Sequence, residues 1–155
     1  MSDAAQLDAT HHYILSVFVE RGQAPHHTEI AKHFGVPVED GRRRLHDLMA
    51  ARLPNWLFPG TDLIASFAPF NNLPTQYRIS IDGEQRWFGQ CGLESLATTW
   101  VFPGQRVAID APCLECGEPV HVEVRDGVIE RADPREIAFY VDVPVRKWYG
   151  DLPFA

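Results

Sequence analysis

The sequence predicts an α+β fold: an N-terminal three-helix, winged-helix-like domain over residues 1–60, then a mixed, mainly antiparallel α+β domain over residues 61–155. Three observations predict it. Apolar residues recur at helical spacing three times before Pro54. The middle of the chain, PNWLFPG and then APFNNLPTQ, is rich in turn-forming Pro and Asn. Beyond it, two Asp-Gly pairs each sit between strand-like runs.

The first helix is read from LDATHHYILSVFVERG, where Tyr13, Ile14, Val17 and Phe18 share a face and Gly22 supplies the stop. HTEIAKHFG gives a short second helix with Thr28 as N-cap, Ile30, Ala31 and Phe34 inward, and Gly35 at its end. VEDGRRRLHDLMAARL gives the third, with Leu45, Leu48, Met49 and Leu53 inward. Ala31 and Gly35, four apart, are the small residues expected to let the second helix approach the third. LIASFAPF is the expected wing strand. Arg42, Arg43 and Arg44 would be its groove-facing cations if the unit read DNA, and a solvated face on a small scaffold if it did not.

In the second half, QYRISID and QRWFGQ flank Asp82-Gly83 as one hairpin, and VHVEVRDG with VIERA forms another around Asp126-Gly127. RVAIDAP and IAFYVDVP are further strands, and CGLESLATTWVF is helical for two to three turns. Trp56, Trp87, Trp100 and Trp148 are expected to fill the core, with Trp87 and Phe88 also placed to wall a dry pocket beside Cys91.

The composition, 45% hydrophobic and 23% charged over 155 residues, leaves room for one sizeable core or two small ones. A formal charge of −7 argues against the whole chain being a strong nucleic-acid binder. Lys and Arg number six against seven Asp and Glu up to Gly60, and eight against fourteen beyond it, so most of the acidity lies in the second half. No apolar run approaches the roughly 18 to 20 residues that span a bilayer, and MSDAAQLDATHH is unlike a signal peptide, so a cytoplasmic protein with no membrane partner is expected. Three cysteines, two of them in a C-x-x-C, suit reduced thiols better than a disulfide framework.

Cys91 falls at the start of the fourth helix, three residues before Glu94. The unpaired N–H groups of a first helical turn favour a thiolate, and the i, i+3 spacing brings the carboxyl onto the same face. A soft sulfur beside a proton-carrying oxygen can grip a soft metal and protonate what leaves it. The structural alternative is a small buried cysteine and a glutamate serving the helix dipole. Cys113 and Cys116, in PCLECGEPV, admit three readings: a half-knuckle without metal, a pair that binds or relays a soft metal, or a zinc site drawing further ligands from Cys91, His121 or the N-terminal histidines. The pairs His11-His12 and His26-His27 point about 100° apart on a helix and are read as surface or capping residues.

Taken in order, APFNNLPTQYRI, WFGQCGLESLATTWVFPGQRVAI and APCLECGEPVHVEV resemble the core of the organomercurial (alkylmercury) lyase family. Cys91 to Leu96 occupy its C-A-L-D-T-L motif, and Cys113, Gly117, Pro119 and Val120 its C-x-x-x-G-x-P-V segment. The resemblance implies protonolysis of a carbon–mercury bond without an organic cofactor. Cys91 would be the capturing thiolate and Glu94 the proton donor, with Hg(II) as bound product. It also implies an organomercurial substrate, and small thiols or a mercury-accepting thiol protein as recipients. Glu94 stands where the family has Asp, a displacement on the order of 1 Å that can cost about a hundredfold in rate. No cysteine follows Cys116 in this sequence to match the family's second catalytic cysteine, which leaves three readings: a second domain truncated at its C-terminus, a non-catalytic relative, or another thiol as substitute, with impaired turnover expected. The competing reading is a non-enzymatic, thiol-based metal sensor in which the winged helix binds DNA.

Overall fold

A computed structural model of the chain describes residues 3–51, 54–139, 143–144 and 147. Its helices come first and a strand-rich region follows, the α+β order expected. The described residues fall into two compact units, the first holding the chain to Phe67 and the second beginning at Ala68.

In the first unit, α1 (Asp3–Arg21), α2 (His27–Phe34) and α3 (Val38–Ala50) match the three periodic segments. Their apolar stripes bury Ile14, Phe18, Ile30, Leu45 and Leu48 almost completely, because residues three and four apart share one helix face. Leu53 and the expected last turn of α3 lie outside the described residues. Two local expectations are corrected. The N-cap of α2 is His26, not Thr28: the His26 ring accepts from the Thr28 N–H, and Glu29 reaches back to the His26 N–H at 2.8 Å, forming a capping box. Arg21 holds the same Glu29 carboxylate at 2.8 and 2.9 Å, tying the end of α1 to the start of α2.

The close approach of α2 and α3 is made by Ala31 and Gly41, whereas Gly35 ends α2 in the left-handed conformation at φ 63°. A Cβ on Gly41 would lie 2.6 Å from both the Ala31 Cβ and the His27 carbonyl oxygen. Gly41→Ala is therefore expected to lower stability by about 1–3 kcal/mol through overpacking against backbone that cannot step aside. Chemical denaturation of the purified variant checks this.

PNWLFPG, read as loop, contains strand β1 (Asn55–Leu57), which pairs antiparallel with β2 (Ile64–Phe67) from the LIASFAPF run. All four β2 residues are buried, and Phe67 stacks on Phe18. The three arginines of α3 are engaged. Arg42 binds Asp62 at 2.8 Å, Arg43 binds Asp40 at 2.8 Å, and Arg44 lies over the Phe34 ring at 4.6 Å. His46 shares Asp62, at 2.6 Å. Two of the three cations thus already face carboxylates of their own unit.

The second unit opens with the short strand β3 (Phe70–Asn71). It continues through β4 (Arg78–Ile81), β5 (Glu84–Phe88), α4 (Gly92–Ala97), a 3-10 turn at Thr98–Trp100, β6 (Val107–Pro112), β7 (Pro119–Arg125) and β8 (Val128–Asp133). Strands β4 to β8 form one antiparallel sheet in the order β5-β4-β6-β7-β8. Both Asp-Gly pairs adopt positive φ, Asp82-Gly83 at 47° and 92° and Asp126-Gly127 at 48° and 80°, as a tight two-residue hairpin turn requires. The register aligns Ile79, Ile109 and Val122 in one row and Ile81, Val107 and Val124 in the next. These rows are the buried face of the sheet.

The aromatic expectations divide. Trp87 is buried and meets Phe102 edge-on at 5.0 Å, and Trp56 is half-buried. Trp100, placed in the core from sequence, is 77% exposed, because α4 gives way to the 3-10 turn and Phe102 rather than Trp100 reaches inward. Trp148 lies outside the described residues. The strand expected in IAFYVDVP is not seen over Ile137–Phe139, and residues 140–142 lie outside the described set. Among the described residues no helix is long and apolar enough to cross a membrane.

Candidate functional site at the start of helix α4

Strand β5 delivers the chain through Gly89 and Gln90 to Cys91, which is the N-cap of α4. Three hydrogen bonds fix this approach. The Gly89 N–H donates to the Tyr77 carbonyl at 2.9 Å and the Gln90 N–H to the Pro69 carbonyl at 3.0 Å. The Thr75 hydroxyl donates to the Gly89 carbonyl at 2.8 Å. Phe70, fully buried, pairs its backbone with Gly89, two residues before Cys91, and sets its ring edge-on to Phe102.

Cys91 is extended (φ −152°, ψ 176°), and its sulfur accepts the Glu94 N–H at 3.4 Å. The Cys91 carbonyl accepts both the N–H of Ser95 at 2.9 Å and its hydroxyl at 2.7 Å. Ser95 is fully buried. A Cβ on Gly89 would stand 1.9 Å from the Ser95 Oγ, so the absence of a side chain there lets the serine brace the turn. At Gly92 a Cβ would stand 2.8 Å from Phe139 Cε1 and 3.4 Å from Tyr77 Cε1. These two rings cover the first residue of the helix, while Leu93 beside them is exposed. Gly92 and Ser95 entered the sequence reading only as motif positions, and Gly89, Tyr77 and Phe139 were not singled out from sequence. For Gly89, Gly92 and Ser95 the local signal is the run of small residues flanking the cysteine in FGQCGLES; Tyr77 and Phe139 carry none.

The electrostatics correct one expectation. Burial pushes the Cys91 thiol up rather than down; the N–H groups of Glu94 and Leu93 oppose this without overcoming it, and the Glu94 charge adds to the rise. A six-residue helix offering a long N–H···S contact does not offset desolvation of the half-buried sulfur. Burial likewise raises the Glu94 carboxyl above its ordinary range. Burial thus shifts both groups in the same direction, favouring the protonated form of the thiol and of the carboxyl.

Cys113 and Cys116 sit apart in role, on the turn between β6 and β7. The Cys113 N–H donates to the Glu118 carbonyl at 2.7 Å, and the Gly117 N–H donates to the Cys113 carbonyl at 2.9 Å. Hydrogen bonds from the N–H groups of Cys116 and Glu115, and then from the Cys116 thiol, lower the Cys113 pKa. The Glu118 N–H favours a thiolate at Cys116, but donation to Cys113, burial and the neighbouring charges leave it above its ordinary value. All three cysteines are free.

A zinc site is not supported. Among the described residues no three or more of His, Cys, Asp and Glu come together as a metal-holding group, and structural zinc needs four ligands. His121 is held instead between Asp110 at 2.8 Å and Glu123 at 3.2 Å. Of the N-terminal histidines, His26 caps α2, and His11 packs its ring against Phe67 at 5.0 Å.

The chain shares its fold with a solved structure described as the mercury-bound form of MerB2. The TM-score is 0.58 at 20% identity, and the match covers 84% of this chain and 68% of that one. No curated protein matches significantly. The alkylmercury lyase (MerB) family matches residues 70–151, a span that includes Cys91, Glu94, Cys113 and Cys116. Since that span is more than half of the sequence, the chain belongs to the alkylmercury lyase family.

Proposed function

We propose that the protein is an organomercurial lyase-like enzyme that cleaves carbon–mercury bonds by protonolysis, with Cys91 as the capturing thiolate and Glu94 as the proton donor. The observation that carries this reading is the joint placement of the two groups. Cys91 caps the helix that bears Glu94, and burial raises the pKa of that carboxyl, the direction that suits a proton donor. Capture forms a sulfur–mercury bond as the ligand that R–Hg(+) carries in solution, a small thiolate, leaves mercury and takes up the Cys91 proton. Donation from sulfur makes the mercury-bound carbon more basic, and Glu94 then delivers a proton to it, so that R–H departs and mercury stays on Cys91 as Hg(II). No organic cofactor enters this sequence. Leu93 and the rings of Tyr77 and Phe139 give an apolar surround suited to an alkyl or aryl group.

The other two cysteines are engaged with each other on the β6–β7 turn, which leaves Cys91 as the thiol beside Glu94. Small thiols, or a mercury-accepting thiol protein, then complete the coordination of Hg(II) and carry it away. Reduced thiols of this kind belong in the cytoplasm. Glu in place of Asp makes turnover slow.

The test is native intact-mass spectrometry after incubation with methylmercury in a thiol-containing buffer, with methane measured in the headspace. Methane together with Hg(II) lacking its methyl group is the expected result. An intact methylmercury adduct without methane would overturn the proposal.

A further inference from the structure

We propose that Cys113 and Cys116 form a second mercury site, a two-thiolate chelate for inorganic Hg(II) on the exposed turn between β6 and β7. Only the source of the ion rests on the lyase reading; binding itself does not.

The turn is built for two converging sulfurs. Its base is closed by the bond from the Cys113 N–H to the Glu118 carbonyl at 2.7 Å, and its tip by the bond from the Gly117 N–H to the Cys113 carbonyl at 2.9 Å. Gly117, at φ 77°, takes the left-handed conformation that brings the chain back on itself within this span. These two bonds hold Cys113 and Cys116 within one closed turn, where the Cys116 thiol donates to the Cys113 sulfur. A soft cation that takes the place of this proton meets two donors in position. Cys116 and the neighbouring Leu114 are exposed, so an ion reaches the pair from solvent.

The donor set selects the ion. Two thiolates without a third His, Cys, Asp or Glu in the group, among the described residues, fall short of the four ligands of structural zinc. They suit a soft ion content with two sulfurs. Binding joins Hg(II) to both sulfurs as one S–Hg–S unit, and the two thiols release their two protons to solvent. No oxidant or reductant is consumed.

The experiment uses inorganic Hg(II) on the full chain carrying Cys91→Ser, which removes the other thiol while keeping a side chain able to cap α4. Native mass spectrometry in excess glutathione is expected to show one mercury per chain, with Cys113 and Cys116 both protected from alkylation. Adding Cys113→Ser or Cys116→Ser is expected to weaken retention by about a hundredfold or more, since one thiol then loses the effective concentration of its neighbour. Circular dichroism confirms that each variant is folded. Three outcomes would overturn the site: no mercury retained against glutathione, retention unchanged when both cysteines are serine, or one mercury shared between two chains. Failure of the lyase reading shows separately, as absence of methane from methylmercury, and leaves the Hg(II) result standing.

Discussion

Replacing Cys91 with serine is expected to bring carbon–mercury cleavage down to the uncatalysed background, whereas Glu94→Gln retains methylmercury intact and loses about 10²- to 10⁴-fold in protonolysis. Serine is itself a good N-cap, so the first variant keeps α4 and loses only the soft donor. Glutamine keeps the shape of Glu94 and its contacts and loses only the transferable proton. Both are best measured with Cys113 and Cys116 also changed to serine, so that mercury held on the β6–β7 turn does not mask capture at Cys91. Cleavage that survives Cys91→Ser would remove this residue from the mechanism, and methane formation unaffected by Glu94→Gln would transfer the proton-donor role elsewhere.

The pH dependence separates the two roles. Because burial raises the Cys91 thiol, the rate of capture is expected to climb with pH up to and beyond the ordinary thiol range. Protonolysis on the captured adduct runs the other way, falling as pH rises through the raised Glu94 value and its acid form disappears. The sign for stability agrees. A carboxyl whose folded pKa lies above its unfolded one contributes fully below the unfolded value, and that contribution is lost as pH rises through the folded one. Glu94→Gln is therefore expected to flatten both the falling rate limb and this part of the stability profile.

The other large effect lies beneath the site. Phe70→Ala is expected to cost about 3–5 kcal/mol, the range for truncating a fully buried aromatic. The removed ring packs edge-on against Phe102 at 6.3 Å, and Phe102 in turn meets Trp87. Because the Phe70 backbone pairs with Gly89, two residues before Cys91, the cavity opens under the cysteine turn as well as within the core. Denaturant titration reads the loss of stability, and the rate of Hg(II) uptake at Cys91 in the same variant reads the effect on the turn. A cost below about 1 kcal/mol would mean that neighbouring side chains collapse into the space.

Much of this molecule follows from local pattern. Three stripes at helical spacing placed α1, α2 and α3, and two Asp-Gly pairs placed both hairpins, because helix faces and positive-φ turns are properties of neighbouring residues. The ordered motifs around Cys91 and Cys113 carried the family resemblance in the same way. The i, i+3 spacing put Cys91 and Glu94 at one helix start, and the C-x-x-C spacing put two sulfurs on one turn.

Only the tertiary structure decided the rest. Gly41, not Gly35, lies where α3 meets Ala31 of α2. His26 takes the cap expected of Thr28 because Glu29 can reach back to it while also holding Arg21. Trp100 faces outward while Phe102 enters the core, and a stretch read as loop became strand β1 once it had β2 to pair with. Above all, the ionisation of Cys91 is reversed. Sequence position exposes a thiol to helix N–H groups, but desolvation depends on what packs around it, and here burial outweighs one long N–H···S contact. Spacing along the chain determined which groups could meet, and long-range packing decided in which direction burial moved their pKa values.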